Sequence, residues 1–419
     1  MKDAVYIIHC PPSWVKTPQL SLVYLKNYLQ HQKIAAQILD LNILLFKLLA
    51  MPQKAWLTLD KCFEEELFSI VQKKFPQVLE NLYLNIKNFS CVGFSLTRRN
   101  AQFSFLLASK IRDKFPDKKI IFGGPETLSL DWQNRLHNEY YWVIGEGEMP
   151  LCSIINHKEQ RIYRFQELDD LDTLPFFTFE SLHANEYSPV IPLLSSRGCP
   201  HQCTFCSEKK LYKKLRHHSA QYMIEQIKLL IQTHKRNHFV FCDSLINYSP
   251  RWLEEFCSLI LLNNLTIKWE AQIRIDQRMS IELAILMKKS GCINLFVGLE
   301  SGSDRVLKSM NKGFSVSTAL AFFNNLNAAK LQFEISLIFG YPGEDENAFR
   351  ETLNFIVDNK MIIPKIAQAN PFVDYLETFK QEKFPSQEAH NRIHYFLKIM
   401  EKEKIKYTKS FINNLVYYA

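Results

Sequence analysis

The sequence predicts two α/β domains in series, each built on a parallel sheet. Short apolar runs alternate with amphipathic helical segments along most of the chain, and this alternation is typical of parallel sheets that helices cover on both faces. At 419 residues the chain is long for one domain and comfortable for two. An acidic stretch containing prolines and aromatics interrupts the alternation, and we predict an interdomain linker over residues 161–187.

The first half predicts a doubly wound, flavodoxin- or Rossmann-like domain over residues 1–160. Predicted strands cover residues 3–9, 34–39, 90–95, 119–122 and 142–144, and predicted helices cover residues 20–29, 42–86 and 100–115. Ligands of open α/β sheets bind beyond the carboxyl ends of the strands. Several of those ends carry glycine, which lets backbone approach a ligand closely. We therefore expect a flat or phosphate-bearing ligand at this edge.

The second half predicts six β/α units over residues 188–372, followed by a short helical tail over residues 373–419. The strands are expected at residues 191–194, 238–242, 267–272, 293–299, 333–339 and 365–369. Ser219, Ser249 and Ser280 are expected to cap the helices that follow them. Six parallel units close only part of a TIM-like barrel of eight units, and the active site is expected at the carboxyl ends of its strands.

One loop follows the first strand of this partial barrel and carries three cysteines, spaced C-x3-C-x2-C at Cys199, Cys203 and Cys206. Thiolates suit iron–sulfur clusters and zinc. Three of them can hold three irons of a four-iron cluster and leave the fourth open. A zinc site or inert buried thiols are the alternatives, since His201 lies inside the loop and His217 and His218 follow it. Structural zinc motifs usually pair two knuckles, which favours the cluster.

Composition limits the remaining possibilities. The other seven of the ten cysteines are scattered through apolar segments, which fits reduced thiols. No apolar run reaches the ~18 residues that a membrane span needs, and the N-terminus lacks a secretory apolar region. We therefore expect a cytoplasmic protein without membrane partners. The net charge of +8 permits an anionic partner without requiring one, and nucleic acid is not expected.

The cysteine loop, with Phe205 in the aromatic position of C-x3-C-x-aromatic-C, resembles the signature of the radical S-adenosylmethionine (radical SAM) enzymes. Further segments resemble the core motifs of that family in the right order: residues 239–244, 298–303 with 310–313, and 339–344. The resemblance implies a 4Fe–4S cluster on the three cysteines. S-adenosylmethionine would chelate the open iron and be cleaved reductively to a 5′-deoxyadenosyl radical.

The resemblance also implies contacts with S-adenosylmethionine at successive strand ends. The backbone near Phe205 would touch the adenine, and Asp243 or Ser244 would lie near the methionyl or ribose groups. Arg274 would pair with the carboxylate, a task suited to a guanidinium, and Glu300 would lie beside the nucleoside. A structural ion pair at a strand end is the alternative for each residue.

The first half resembles the cobalamin-binding domain that precedes the radical core in a large subfamily, through residues 39–42, 92–95, 121–126 and 143–148. The resemblance implies that cobalamin, if bound, contacts Ser95, Thr97, Gly123, Gly124, Glu146 and Glu148. The D-x-H-x-x-G motif of many cobalamin proteins is missing, because residues 9–14 read His-Cys-Pro-Pro-Ser-Trp. Many members of the subfamily hold cobalamin without that histidine. A domain that keeps the fold and has lost the ligand is the alternative.

Together these resemblances imply an enzyme that transfers a methyl group to an unactivated carbon with cobalamin. A radical rearrangement, ring contraction or oxidation with a vestigial first domain is the alternative, and a non-catalytic iron–sulfur or zinc protein is a remote one. The expected partners are a small-molecule or peptide substrate and an electron donor such as flavodoxin or ferredoxin.

Overall fold

The structure is a computed structural model that describes residues 4–57, 61–129, 139–156, 160–179, 186–374 and 386–408. The chain divides into two compact units, with a boundary between Val190 and Ile191; residues 229–235 group with the first unit. Within the described part of the chain, no helix is both long and apolar enough to cross a bilayer.

The first unit contains a six-stranded parallel sheet in the order β2-β1-β3-β4-β5-β6. Its strands are β1 Ala4–His9, β2 Ala35–Asp40, β3 Cys91–Ser95, β4 Lys119–Gly123, β5 Tyr141–Ile144 and β6 Ile162–Arg164. The first five confirm the predicted strands to within two residues. The sixth lies in the stretch that the sequence predicted as linker, and it pairs with β5. Three residues are too few to produce a periodic signal.

Helices cover both faces of this sheet. They are Leu20–His31, Leu41–Leu49, Gln53–Trp56, Lys61–Lys74, Pro76–Ile86, Ala101–Lys114 and Glu148–Ile155, with 3-10 turns at Pro125–Leu128 and Leu171–Thr173. The predicted helical region 42–86 is divided at Pro52 and Pro76, which precede or open a helix because proline fits only the first turn. One core cluster contains Tyr6, Ile8 and Phe94, alternate strand positions that share a face.

The second unit contains a six-stranded parallel sheet in the order β14-β13-β12-β11-β10-β7. Its strands are β7 Ile191–Leu193, β10 His238–Phe241, β11 Lys268–Ile273, β12 Cys292–Glu300, β13 Phe333–Phe339 and β14 Ile366–Pro371. The order follows the chain, and β7 and β14 are the two edges, so the partial barrel is confirmed. A separate antiparallel pair, β8 Ser196–Arg197 and β9 Arg216–His217, brackets the cysteine loop.

The helices that follow Ser219, Ser249 and Ser280 begin where the sequence predicts, whereas the short helices Glu208–Leu211 and Asp304–Ser309 were not predicted. The helices of the second unit are Glu208–Leu211, Ala220–His234, Pro250–Leu262, Ile281–Lys289, Asp304–Ser309, Val316–Ala328, Glu346–Asp358 and Gln387–Lys402. The hydroxyls of Ser219, Ser249 and Ser280 each accept a backbone N–H three residues on, which confirms the three predicted caps. Of the predicted tail, residues 375–385 and 409–419 lie outside the described residues.

The helix Gln387–Lys402 is joined to the turn after β13 by a buried ion pair. Arg392 donates to the Glu344 carboxylate at 2.9 Å and to its carbonyl at 2.8 Å. The backbone N–H of Gly340 donates to the same carboxylate oxygen at 2.6 Å. Gly340 has φ +73°, and a Cβ there would lie 2.4 Å from Cβ of Ala389. The turn therefore depends on the absence of a side chain at residue 340.

Candidate functional site

The cysteine loop is closed at its base by the β8–β9 pair. Ser196 pairs with His217, and Arg197 pairs with Arg216. The next residue, Gly198, has φ +85°, and a Cβ there would lie 2.7 Å from the carbonyl oxygen of Lys214. Only glycine satisfies both conditions without strain. The two ends of the loop are therefore held together before Cys199 begins the motif.

The middle of the loop is hydrogen-bonded to the segments that follow β12 and β13. The Thr204 N–H donates to the carbonyl of Met310 at 3.1 Å, and the Thr204 and Tyr341 hydroxyls lie 2.7 Å apart. The Asn311 side chain donates to the carbonyl of Gln202 at 2.9 Å. The ring of Phe205 packs against a small apolar cluster, which consists of Val306, Met310, Tyr341, Ala348 and Phe372. The loop thus has a fixed backbone.

The three thiols lie close enough together to influence one another. Burial raises the pKa of Cys199, and burial together with neighbouring groups, Cys199 and Cys203 among them, raises the pKa of Cys206 to about 12. Burial and the charge of Arg274 lower the pKa of His201 to about 4, so the imidazole is neutral at pH 7. Thiolates in such a place need a cation or a metal to stabilise them.

The chemistry of the three cysteines fits a cluster whose thiolates bind different irons. In the part of the chain that the structure describes, no three His, Cys, Asp or Glu side chains converge on a single ion. A zinc ion with bonds of about 2.3 Å needs its sulfurs roughly 3.8 Å apart. A four-iron cluster places each thiolate on its own iron, so its sulfurs stand farther apart. Cys199, Cys203 and Cys206 are the residues that would hold it.

Arg274 is aimed at the cysteine loop. Its guanidinium donates to the sulfur of Cys203 at 3.1 Å. Its backbone is held on both sides by Asn247, which accepts from the Arg274 N–H at 3.0 Å and donates to the Arg274 carbonyl at 2.8 Å. Asn247 is buried, and no sequence motif pointed to it. The predicted cation is therefore in the site, and it contacts a ligand sulfur.

Glu300 is held by two buried partners. Its carboxylate accepts from Lys312 at 3.2 Å and from the Ser336 hydroxyl at 2.9 Å. Glu300 has φ +71°, a conformation that costs a non-glycine residue about 1–3 kcal/mol and is often found at functional sites. A Cβ on Gly298 would lie 2.6 Å from the carboxylate, so this glycine makes room for the acid.

Lys312 is the main site residue that sequence reasoning missed. It is 4% exposed, and its ammonium lies 5.6 Å from the centre of the Phe205 ring. The signal was present, because Lys312 belongs to the Met-Asn-Lys-Gly segment that resembles a family motif. Its role became visible only when the chain folded it onto Phe205 and Glu300.

Asp243 and Ser244 support the loop in this structure. Asp243 is fully buried, and its carboxylate accepts from the N–H and hydroxyl of Ser195 and from the hydroxyl of Ser196, the last two at 2.6 Å. Burial raises the pKa of Asp243 to about 6. Ser244 bonds to the side chain of Glu208, whose pKa burial raises. Direct contact of either residue with S-adenosylmethionine stays a prediction.

In the first unit, two buried asparagines organise the loops at the carboxyl edge of the sheet. Asn42 accepts from the N–H of Ser13 at 2.8 Å and from the indole of Trp56 at 2.9 Å. Asn100 accepts from the N–H of Thr97 at 2.7 Å and donates to the carbonyls of Cys10 and Ser95. These loops are therefore ordered by the chain's own amides.

Buried polar atoms without hydrogen-bond partners remain at this edge. Gln19 donates to the Ser95 hydroxyl at 3.0 Å, but its Oε1 has no partner among the described residues. The same is true of Thr97 Oγ1 and His9 Nε2. Buried polar groups are nearly always paired. The edge therefore fits a ligand that brings hydrogen-bonding groups, as the side chains of cobalamin do.

The other predicted cobalamin contacts are explained by the chain itself. Gly124 has φ +95°, and a Cβ there would lie 2.5 Å from the Leu96 carbonyl oxygen, whereas a Cβ on Gly123 would make only an ordinary contact. Glu146 accepts from the N–H of Leu168 at 3.1 Å. Glu148 is buried at the start of its helix. Contact of these residues with cobalamin stays a prediction.

His9 occupies the end of β1, near the position at which the missing motif would stand. Its Nδ1 lies 3.2 Å from the Asp40 carboxylate, which also accepts from the Tyr187 hydroxyl and from the N–H of Ile43. Burial works to raise the pKa of Asp40, but His9 and these hydrogen bonds hold it below its ordinary value. Burial and Asp40 raise the pKa of Tyr187.

Residues 193–356, from β7 to the helix Glu346–Asp358, match the Radical SAM superfamily. These residues form a radical SAM domain. Members use a 4Fe–4S cluster and S-adenosylmethionine, and the matched residues include the cysteine loop, Arg274, Glu300 and Lys312. The resemblance of the second half to the radical SAM family is therefore confirmed.

Two curated relatives extend the match beyond the radical SAM domain. The chain is 28% identical over 309 residues to bacteriochlorophyllide d C-12(1)-methyltransferase of Chlorobaculum tepidum, covering 71% of this chain and 67% of that protein. It is 24% identical over 268 residues to the anaerobic magnesium-protoporphyrin IX monomethyl ester cyclase of a Synechocystis strain, covering 58% of this chain and 54% of that protein.

Solved structures confirm the two-domain fold. The cobalamin-dependent S-adenosylmethionine radical enzyme OxsB, with aqua-cobalamin and S-adenosylmethionine bound, matches 99% of this chain with a TM-score of 0.70 at 15% identity. The methyltransferase TsrM from Kitasatospora setae, with cobalamin and a 4Fe–4S cluster bound, matches 88% with a TM-score of 0.67 at 13% identity. This chain spans 58% of the OxsB chain and 74% of the TsrM chain.

Proposed function

We propose that this radical SAM enzyme transfers a methyl group to an unactivated carbon with the help of cobalamin. One observation carries the proposal: the likeness to OxsB extends over 99% of the chain and so includes the first unit as well as the radical SAM domain. The relative from Chlorobaculum tepidum is named as a methyltransferase. The buried, unpartnered polar atoms at the edge of the first sheet agree with a bound cofactor there.

When bound, the cluster with S-adenosylmethionine supplies a 5′-deoxyadenosyl radical, and cobalamin supplies the methyl group. The residues of the chain bind and orient these groups. Cys199, Cys203 and Cys206 would ligate the cluster. Arg274 and Lys312 place two cations near the loop, and they offset the negative charge of the thiolates and of a bound carboxylate. Phe205 and its apolar cluster keep water from one side of the loop.

In the first unit, Ser95, Gln19 and Thr97 would hold the cofactor at the carboxyl edge. Each places a hydroxyl or amide there, and two of them have a buried oxygen with no partner among the described residues. Cobalamin carries several amide side chains that can donate to such oxygens. His9, with its ring oriented by Asp40, adds a buried nitrogen at the same edge.

The open face of the second sheet would receive the substrate. Residues that pair across parallel strands share a face, and Gln272, Phe296 and Glu334 pair in one row. All three are half-buried, whereas the alternate row, Ala271, Leu295 and Phe333, is buried. A small molecule or a peptide could bind this polar face. The electron donor would be a flavodoxin or a ferredoxin.

Metal analysis of an anaerobic preparation, expressed with cobalamin supplied, tests the proposal. We expect about four irons and one cobalt per chain, and, after reduction with S-adenosylmethionine present, both 5′-deoxyadenosine and S-adenosylhomocysteine. A variant with alanine at Cys199, Cys203 and Cys206 is the matched control and should lose the iron and the 5′-deoxyadenosine.

Iron and 5′-deoxyadenosine without retained cobalt would overturn methyl transfer and favour a radical reaction without it. One observation supports that second candidate: the relative from Synechocystis is named as a cyclase. Zinc in place of iron, with no 5′-deoxyadenosine, would favour a non-catalytic protein.

A further inference from the structure

The hydrogen bond from Arg274 to Cys203 is a contact that neither the sequence motifs nor the related proteins assign. A family resemblance implies that this arginine binds the carboxylate of S-adenosylmethionine. In the structure its guanidinium instead donates to a ligand sulfur at 3.1 Å. A guanidinium has five N–H donors in a planar fork, so one can serve the sulfur while others remain available.

Both the backbone and the guanidinium of Arg274 are held in place. Asn247 forms reciprocal hydrogen bonds with the N–H and the carbonyl of Arg274. The guanidinium also lies 5.6 Å from the centre of the Phe314 ring, within the range of a cation–π contact. A Cβ on Gly313 would meet its Nη2 at 3.6 Å, an ordinary contact. The side chain is therefore directed at Cys203 from a fixed strand end.

The contact is confined to one of the three cysteines. Among the hydrogen bonds that the structure shows from charged side chains to the thiols of this loop, the bond from Arg274 ends on Cys203. Lys312 reaches the same loop, but it contacts the ring of Phe205 and the carboxylate of Glu300. Two cations therefore approach the loop, and one of them donates directly to sulfur.

We propose that Arg274 raises the reduction potential of the cluster through its N–H···S bond to Cys203, before S-adenosylmethionine binds. The inference rests on the cluster-binding part of the proposed function. One-electron reduction adds a negative charge that spreads over the cluster and its thiolates. A cationic N–H donor stabilises the reduced form more than the oxidised form, and hydrogen bonds to the sulfurs are among the factors that set such potentials.

The test is a redox titration of the reconstituted protein with dithionite, followed by the electron paramagnetic resonance signal of the reduced cluster, in the absence of S-adenosylmethionine. We expect Arg274→Met to lower the equilibrium constant for reduction about tenfold, a shift of about 59 mV for one electron. The reduction potential of Arg274→Lys should lie between those of Arg274→Met and the wild type, because lysine keeps the positive charge but lacks the planar fork of N–H donors.

Arg278→Met is the matched control. Arg278 lies four residues away, pairs with Asp276, and has a side chain 57% exposed. Its removal takes away a similar charge without touching a sulfur, so the potential should not change. Repeating the titration with S-adenosylmethionine separates the roles, because an arginine that binds only the carboxylate would alter the potential only when the cofactor is present.

Equal potentials for the wild type and Arg274→Met, at equal iron content and without S-adenosylmethionine, would overturn the inference while leaving the proposed function intact. If Arg274→Met fails to retain iron, Arg274→Lys provides the measurement. If both variants lose the cluster but keep the fold by circular dichroism, Arg274 serves assembly and the tuning role is wrong. A wild-type protein that binds no iron would instead refute the proposed function itself.

Discussion

Removing the guanidinium of Arg392 should destabilise the second unit severely. Arg392 and Glu344 have side chains 6% and 0% exposed, and they form an ion pair at 2.9 Å. In Arg392→Met the Glu344 carboxylate would keep only the Gly340 N–H as a partner at 2.6 Å. Breaking a buried pair from one side costs about 3–5 kcal/mol, because an uncompensated charge stays buried.

The structure argues for the lower half of that range. Burial raises the pKa of Glu344, so the isolated acid can take up a proton and relieve part of the cost. We therefore expect a loss of about 3 kcal/mol at pH 7, and a smaller loss at pH 5, in the free energy of unfolding from urea titration of the apoprotein. For a unit of this size that is a fall of roughly 6–12 °C in melting temperature.

A double variant supplies the control. Arg392→Met combined with Glu344→Leu replaces both charges by apolar side chains, which is often neutral or nearly so. The double variant should therefore be more stable than Arg392→Met alone. A loss below about 1 kcal/mol in the free energy of unfolding of Arg392→Met would refute the reasoning. A double variant less stable than both single variants would refute it as well, because the two side chains would then not act mainly through each other.

Three further predictions use matched variants. Gly340→Ala should lower the free energy of unfolding by at least about 2 kcal/mol more than Gly343→Ala does. Both glycines have positive φ. However, a Cβ at residue 340 would press against Ala389, whereas a Cβ at residue 343 would meet nothing within 4 Å. Gly124→Ala should lower the free energy of unfolding by about 2 kcal/mol or more, because a Cβ at residue 124 would meet the Leu96 backbone. Gly123→Ala should lower it much less, because a Cβ at residue 123 would not. Asp243→Asn should flatten the dependence of stability on pH between about 4 and 6. The pKa of Asp243 rises from 3.8 to about 6 on folding, so its protonated form stabilises the fold below pH 4 and this contribution, about 3 kcal/mol, is lost as pH rises to 6.

Urea titration measures all three, with the apoprotein and, for Asp243, at several pH values. Equal costs for Gly340→Ala and Gly343→Ala would mean that the C-terminal helix does not pack on the turn. Equal costs for the two glycines of β4 and its turn would contradict the close approach to Leu96. If the free energy of unfolding of Asp243→Asn changed with pH between 4 and 6 as steeply as that of the wild type, a group other than Asp243 would be responsible for the pH dependence.

Local chemistry made most of the fold predictable. The strand Ala4–His9 is an almost continuous apolar run, because a parallel strand is buried on both faces. Helix starts such as Ser249-Pro250 combine a side-chain acceptor with a proline that needs no N–H donor. The short strand β6 was missed for the opposite reason, since three residues acquire their meaning only from pairing with β5.

The sequence by itself determined the order of the α/β units and the cysteine loop, because these depend on spacing and periodicity along the chain. Its motifs also identified the radical SAM domain. Only the tertiary structure decided what the polar side chains do. It placed Lys312 on Phe205 and Glu300, turned Asp243 toward Ser195, and directed Arg274 at Cys203. Partners separated by between 12 and 107 positions leave no local pattern. Hydrogen bonds and ion pairs depend on distances of about 3 Å, which only packing can produce.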